Sequence, residues 1–124
     1  MERIDIPGAA QPEGHYSPAI KSGNFIFISG QVGIDTFTGE MAEGGIVAQT
    51  QKTLENVQLV LESAGSSIDK IVKMNIFVTN IAYWDEVNAI YREFFGQRKP
   101  ARIIIPISDL GDGLLIEIDA IAEA

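Results

Sequence analysis

The sequence contains no cysteine and a single histidine, His15. That excludes disulfides, thiolate metal ligands and cysteine nucleophiles together, and leaves no histidine cluster for a metal. Basic residues are scarce too: nine Lys plus Arg stand against seventeen Asp plus Glu, for a formal charge of −8. So acidic a chain repels phosphate backbones, and neither nucleic acid nor an anionic membrane surface is an expected partner. No apolar run reaches the roughly 18 residues that a membrane-spanning helix needs. The opening Met1-Glu2-Arg3-Ile4-Asp5 lacks the apolar centre of a signal peptide, and a cytoplasmic location is expected. What is present is ordinary globular composition, 46% hydrophobic and 21% charged, over 124 residues that fit one domain spanning 1–124.

The first fifteen residues carry Pro7-Gly8 and Gln11-Pro12-Glu13-Gly14 and read as an irregular lead-in. Two β-prone runs, Tyr16–Ile20 and Asn24–Ser29, flank Lys21-Ser22-Gly23 and predict a hairpin. A third short strand is expected around Gln31–Ile34. Gly30 interrupts this pattern, which marks a bulge or a backbone that something approaches closely. From Val47 the period changes: Val47, Thr50, Leu54, Val57, Leu61 and Ala64 recur at steps of three or four, an amphipathic helix closed by Gly65. Ile71–Val78 is a strand, Tyr83–Phe95 a second helix ending at Gly96, and Ala101–Ile107 and Leu114–Ala122 the last two strands. The order βββαβαββ predicts an α+β domain, a mixed sheet with both helices on one face.

Two charged residues sit oddly in the final strands. Alternation groups Glu117 and Asp119 with Leu115 and Ile121, and Arg102 with Ile104 and Pro106. A guanidinium among aliphatics requires an anionic partner, because it cannot be neutralised. If the two strands pair as a hairpin, Arg102 and Glu117 share a face. They then form either a structural ion pair or a site in which Arg102 holds a small carboxylate and Glu117 handles a proton or water. Exposed Ile104, Leu115 and Ile121 on that face would favour self-association.

The segments Gly14–Ile20, Ile28-Ser-Gly-Gln31, Gln49–Val57, Ala64-Gly65, Val87–Gly96, Lys99-Pro-Ala-Arg102 and Ile116–Ala122 occur in the order and spacing of one family. As a set, from about residue 14 to the C-terminus, they resemble the reactive-intermediate deaminases, the RidA or YjgF family. The resemblance implies a chorismate-mutase-like fold in a barrel-like homotrimer with clefts between subunits. It also implies hydrolysis of 2-enamines and 2-imines, of the 2-iminobutanoate and 2-iminopropanoate type, to 2-keto acids and ammonia, with no cofactor and no metal. Carried over residue by residue, Arg102 would clamp the substrate carboxylate and Glu117 would activate water. Tyr16 would wall the cleft, Ser29 and Gly30 would meet the substrate, and Asn88 would reach a neighbouring cleft.

Each assignment has a structural alternative. Tyr16 as core, Ser29 and Gly30 as a bulge alone, and Asn88 as a helix-surface amide are all open from sequence. His15 reads as a loop residue, and Trp84, Tyr91 and Phe94 as core or interface. The sequence departs from the family pattern at His15 and Pro18, at Ile103 where small residues are usual, and at Ile104 where cysteine is common. These leave the reaction type standing and bear on the substrate side chain. Two further functions stay in view: a non-catalytic small-carboxylate-binding or regulatory protein of the same fold, and an RNA-cleaving role that the charge disfavours.

Overall fold

The computed structural model describes residues 1–124. Its strands are β1 (Glu2–Ile4), β2 (Ala19–Ser22), β3 (Phe25–Val32), β4 (Ile71–Val78), β5 (Ala101–Pro106) and β6 (Ile116–Glu123). Two helices, α1 (Gly45–Ser63) and α2 (Trp84–Phe95), make the order βββαβαββ. The letters agree with expectation, but two of the strands are not those predicted. The supposed lead-in supplies β1, where Arg3 pairs with Ile20 across an antiparallel ladder. The short strand expected at Gln31–Ile34 is instead the far end of β3, continued through a bulge.

The six strands form one sheet in the order β1-β2-β3-β6-β4-β5, antiparallel throughout except for the β4–β5 pair. That parallel pair requires a crossover, and α2 provides it. Period-two alternation in β4 and β6 sends Met74, Ile76, Val78, Ile116, Ile118, Ala120 and Ala122 to one face, all fully or almost fully buried. Leu54, Val57, Val60 and Leu61 of α1 and Val87, Tyr91 and Phe95 of α2 cover that face. Burying each large aliphatic contributes roughly 1.5–3 kcal/mol, so this single layer carries the fold.

Helix α1 ends where the sequence said it would. Gly65 adopts φ 78, while Ser66 N–H donates to the Leu61 carbonyl and Gly65 N–H to the Glu62 carbonyl, the paired bonds of a Schellman cap. Midway, the buried Asn56 donates to the carbonyls of Val32 and Ile34 and accepts from Thr36 Oγ1. That amide ties the end of β3 to the helix.

The open face differs from the one predicted. Ile104 and Leu115, expected there, pack against the core. Phe25, Phe27 and Ile103 are exposed in their place, 43–45% each, beside half-buried Phe77, Ile105 and Ile121. The registers explain it: Ile104 lies beside Ile76, which pairs with Ile118, whereas Ile103 lies beside Asn75 and Asp119.

Candidate active site

Arg102 and Glu117 do not meet within one chain. β4 lies between β5 and β6, so the hairpin that would join them does not form. Arg102 is level with Met74 and Ala120, whereas Glu117 is level with Phe77 and Ile105. The two positions are two strands and three residues apart, about 14 Å between backbones. Three residues is an odd offset, so their side chains point to opposite faces. Glu117 looks out over the open face, and Arg102 turns to the helix side.

At β5 the guanidinium is held without any acid. Arg102 Nη1 donates to Asn88 Oδ1 at 2.9 Å, and its Cζ lies 4.7 Å from the Tyr91 ring centroid and 5.6 Å from that of Trp84. Trp84, Asn88 and Tyr91 stand at i, i+4 and i+7 on α2, so one helical stripe presents both aromatic faces and the amide. Cation–π attraction of about 0.5–2 kcal/mol per ring holds the charge without neutralising it. Arg102 takes part in no ion pair: those present join Arg3 to Asp5 and Lys52 to Asp35 and Glu55. The structural ion pair is thereby excluded within the chain, and most of the guanidinium's five donors remain free.

Glu117 occupies the complementary half. A hollow of about 230 Å³ is lined by Tyr16, Ser29, Gly30 and Glu117. The bulge makes room for it: Ile28 pairs with Ala120 and Gln31 with Ile118, leaving Ser29 and Gly30 opposite a single residue of β6. A Cβ on Gly30 would lie 2.7 Å from Glu117 Oε2, so the carboxylate rests where any side chain would stand. Ser29 Oγ donates to the Ser17 carbonyl at 2.6 Å, which leaves its lone pairs as acceptors. Tyr16 is 53% exposed, not core, and makes no side-chain hydrogen bond. Glu117 has no partner of its own. Burial, then the negative charge of Asp119, pushes its pKa above the ordinary carboxylate range. Asp119 is held by a 2.8 Å bond from Asn75 Nδ2.

Tyr16, Ser29, Gly30 and Glu117 thus assemble in one hollow, while Arg102 and Asn88 form a second group elsewhere. Asn88 is committed to Arg102 through its side-chain oxygen. His15 is an exposed loop residue, as expected. Sequence reading missed the Trp84–Tyr91 platform, although the 84–88–91 spacing already put those aromatics on the face of Asn88. No group of three or more His, Cys, Asp or Glu side chains is placed to hold a metal, and no helix is long and apolar enough to cross a membrane.

A family model described as Endoribonuclease L-PSP matches residues 7–124. The chain belongs to this family, that of YjgF and RidA. Among its relatives is a RutC family protein of Pyrococcus horikoshii, 44% identical over 121 residues, which are 98% of this chain and 96% of that one. A protein of Dermatophagoides farinae named 2-iminobutanoate/2-iminopropanoate deaminase is 36% identical over 118 residues, 95% of this chain and 92% of that protein. The crystal structure of RidA from the Antarctic bacterium Psychrobacter sp. superposes with a TM-score of 0.92 at 32% identity, covering all of both chains. The α+β architecture expected of a YjgF/RidA protein is the one found.

Proposed function

We propose that this YjgF/RidA protein hydrolyses small 2-imino acids to 2-keto acids and ammonia, in clefts completed by a second copy of the chain. One observation carries the reading: an acid-free guanidinium and an unpartnered carboxylate lie on opposite faces of one sheet. Two copies can bring them together where one cannot. The apolar open face around Phe25, Phe27 and Ile103 supplies a surface for association, and the family resemblance supports an assembly of three copies. The deaminase-named relative supports the substrate class.

In such a cleft Arg102 takes the substrate carboxylate through two parallel hydrogen bonds, which fixes C2 over the hollow of the adjoining copy. The protonated imine is already electrophilic, so positioning supplies much of the acceleration. Water attacks C2 as Glu117 accepts one of its protons, giving a 2-amino-2-hydroxy acid. Protonated Glu117 returns that proton to nitrogen. The C–N bond breaks as the hydroxyl gives up its own proton to Glu117, and ammonia leaves with a keto group behind. Ammonia then collects that proton, so iminium plus water yields ketone plus ammonium and restores the carboxylate. Ser29 Oγ and the Tyr16 hydroxyl accept from the iminium N–H groups. An enamine enters the same route after protonation at C3.

Ammonia release alongside an amino-acid dehydratase that generates the imine tests the proposal. Wild type should accelerate release over the protein-free rate, with Arg102→Ala and Glu117→Ala at the control rate. Equal rates for all three would remove the enzyme reading. Saturable, Arg102-dependent keto-acid binding without turnover would instead establish a non-catalytic carboxylate binder. RNA cleavage is disfavoured by the net charge of −8, which repels a phosphate backbone.

A further inference from the structure

Arg102 opens onto a second hollow, of about 420 Å³, whose wall includes Asn88, Tyr91, Arg92, Arg98 and Lys99. Four of the chain's nine lysines and arginines thus gather around one cavity of a protein whose charge is −8. No Asp or Glu lines it. Glu93, on the same helix, faces the groove toward α1 instead. Arg98 is engaged, donating Nη2 to the Ile71 carbonyl at 2.6 Å. Arg92 and Lys99 are exposed and in no ion pair. Tyr91 stands in the same wall with a buried hydroxyl that has no partner, the state of a donor whose acceptor arrives with a ligand.

A single carboxylate satisfies one guanidinium. With Arg102 so occupied, Arg92 and Lys99 still confront an anion-free space. Both line the hollow with no acid beside them, so a second negative group entering it would meet two unpaired cations. We infer that the preferred substrates are 2-imino acids whose side chain ends in a second acid group, the α-carboxylate on Arg102 and the distal acid between Arg92 and Lys99. The reactions that supply such substrates would be those that oxidise the Cα–N bond of acidic amino acids to an imine, with the nitrogen retained. This inference rests on the proposed carboxylate clamp at Arg102.

The test is calorimetric binding of two product-like probes of equal chain length, 2-oxoglutarate and 2-oxopentanoate, to the full-length protein. The diacid should bind about tenfold more tightly, the size of two partly exposed charge pairs. That margin should narrow with added salt, since these cations are exposed. In Arg92→Gln/Lys99→Gln it should fall to about twofold or less. Equal affinity of the two probes, both lost in Arg102→Ala, overturns the second-acid inference and leaves the clamp standing. A margin retained in the double variant overturns the inference as well. Failure of both probes to bind wild type removes the clamp and this inference together. A diacid margin without ammonia release removes deamination alone.

Discussion

Gly30 is the residue whose chemistry depends most on having no side chain. Its backbone needs no left-handed conformation, so Gly30→Ala is a steric test only. The added methyl carbon must displace the Glu117 carboxylate, which lies 2.7 Å from it. Turnover should fall at least about tenfold while KM changes little, because Arg102 is untouched; steady-state kinetics separates the two. Glu117 itself presents a conflict between stability and function. Its pKa is raised in the fold by burial and by Asp119, so the folded state holds the proton more tightly than the unfolded chain. Its contribution is therefore most favourable below the ordinary carboxylate range and is lost as pH rises through the raised value. Glu117→Gln should raise the melting temperature at pH 7, and the gain should shrink as the pH falls below about 4. The same variant should lose roughly 10²–10⁴ in turnover, the usual worth of a positioned proton acceptor. Melting curves at both pH values, beside a rate measurement, decide both halves.

At the scale of elements, α2 is more than a cover for the sheet. Its stripe of Trp84, Asn88 and Tyr91 sets the direction of the guanidinium on β5. Asn88→Ala removes one hydrogen bond to a charged group, worth about 1.5–3 kcal/mol, and frees the fork to wander. KM for the imine, and Kd for a keto acid, should rise roughly 10- to 100-fold, with a smaller effect on turnover. Asn88→Asp would tie the guanidinium to an acid and should be worse than Ala.

Much of this element plan was legible in the sequence. Val47–Ala64 showed its period and its glycine stop, and Ile71–Val78 and the second helix fell within a residue of their observed bounds. Gly30 was correctly marked as a bulge or a close approach, and it is both. What could not be read was which strands adjoin. Alternation says which residues share a face of one strand, but it carries no information on whether β4 inserts between β5 and β6. That insertion follows from the crossover through α2, and it moved Arg102 to the face opposite Glu117. Strand β1 was hidden for a different reason: three residues are too few for a period to show. Its pairing comes from β2, not from its own composition.

For the whole molecule, the division of the site predicts a particular behaviour on mixing. If each cleft draws Arg102 from one copy and Glu117 from its neighbour, Arg102→Ala and Glu117→Gln chains are each inactive alone. Randomly reassorted in equal amounts, they should recover about a quarter of wild-type activity, the share of clefts that draw both groups from intact sources in a closed ring. No recovery after verified exchange of subunits would mean that both groups serve one chain's site. A charge on the open face, as in Phe27→Glu, should yield smaller species by sedimentation and abolish activity while the helical signal persists.

The opposed facing of guanidinium and carboxylate has one more result, for the life history of the molecule. On the proposed reading a freshly made polypeptide is chemically mute, and competence appears only on encounter with its kin. Output then scales more steeply than abundance wherever the chain is rare, so a thinly expressed cell would have protein without the benefit of it.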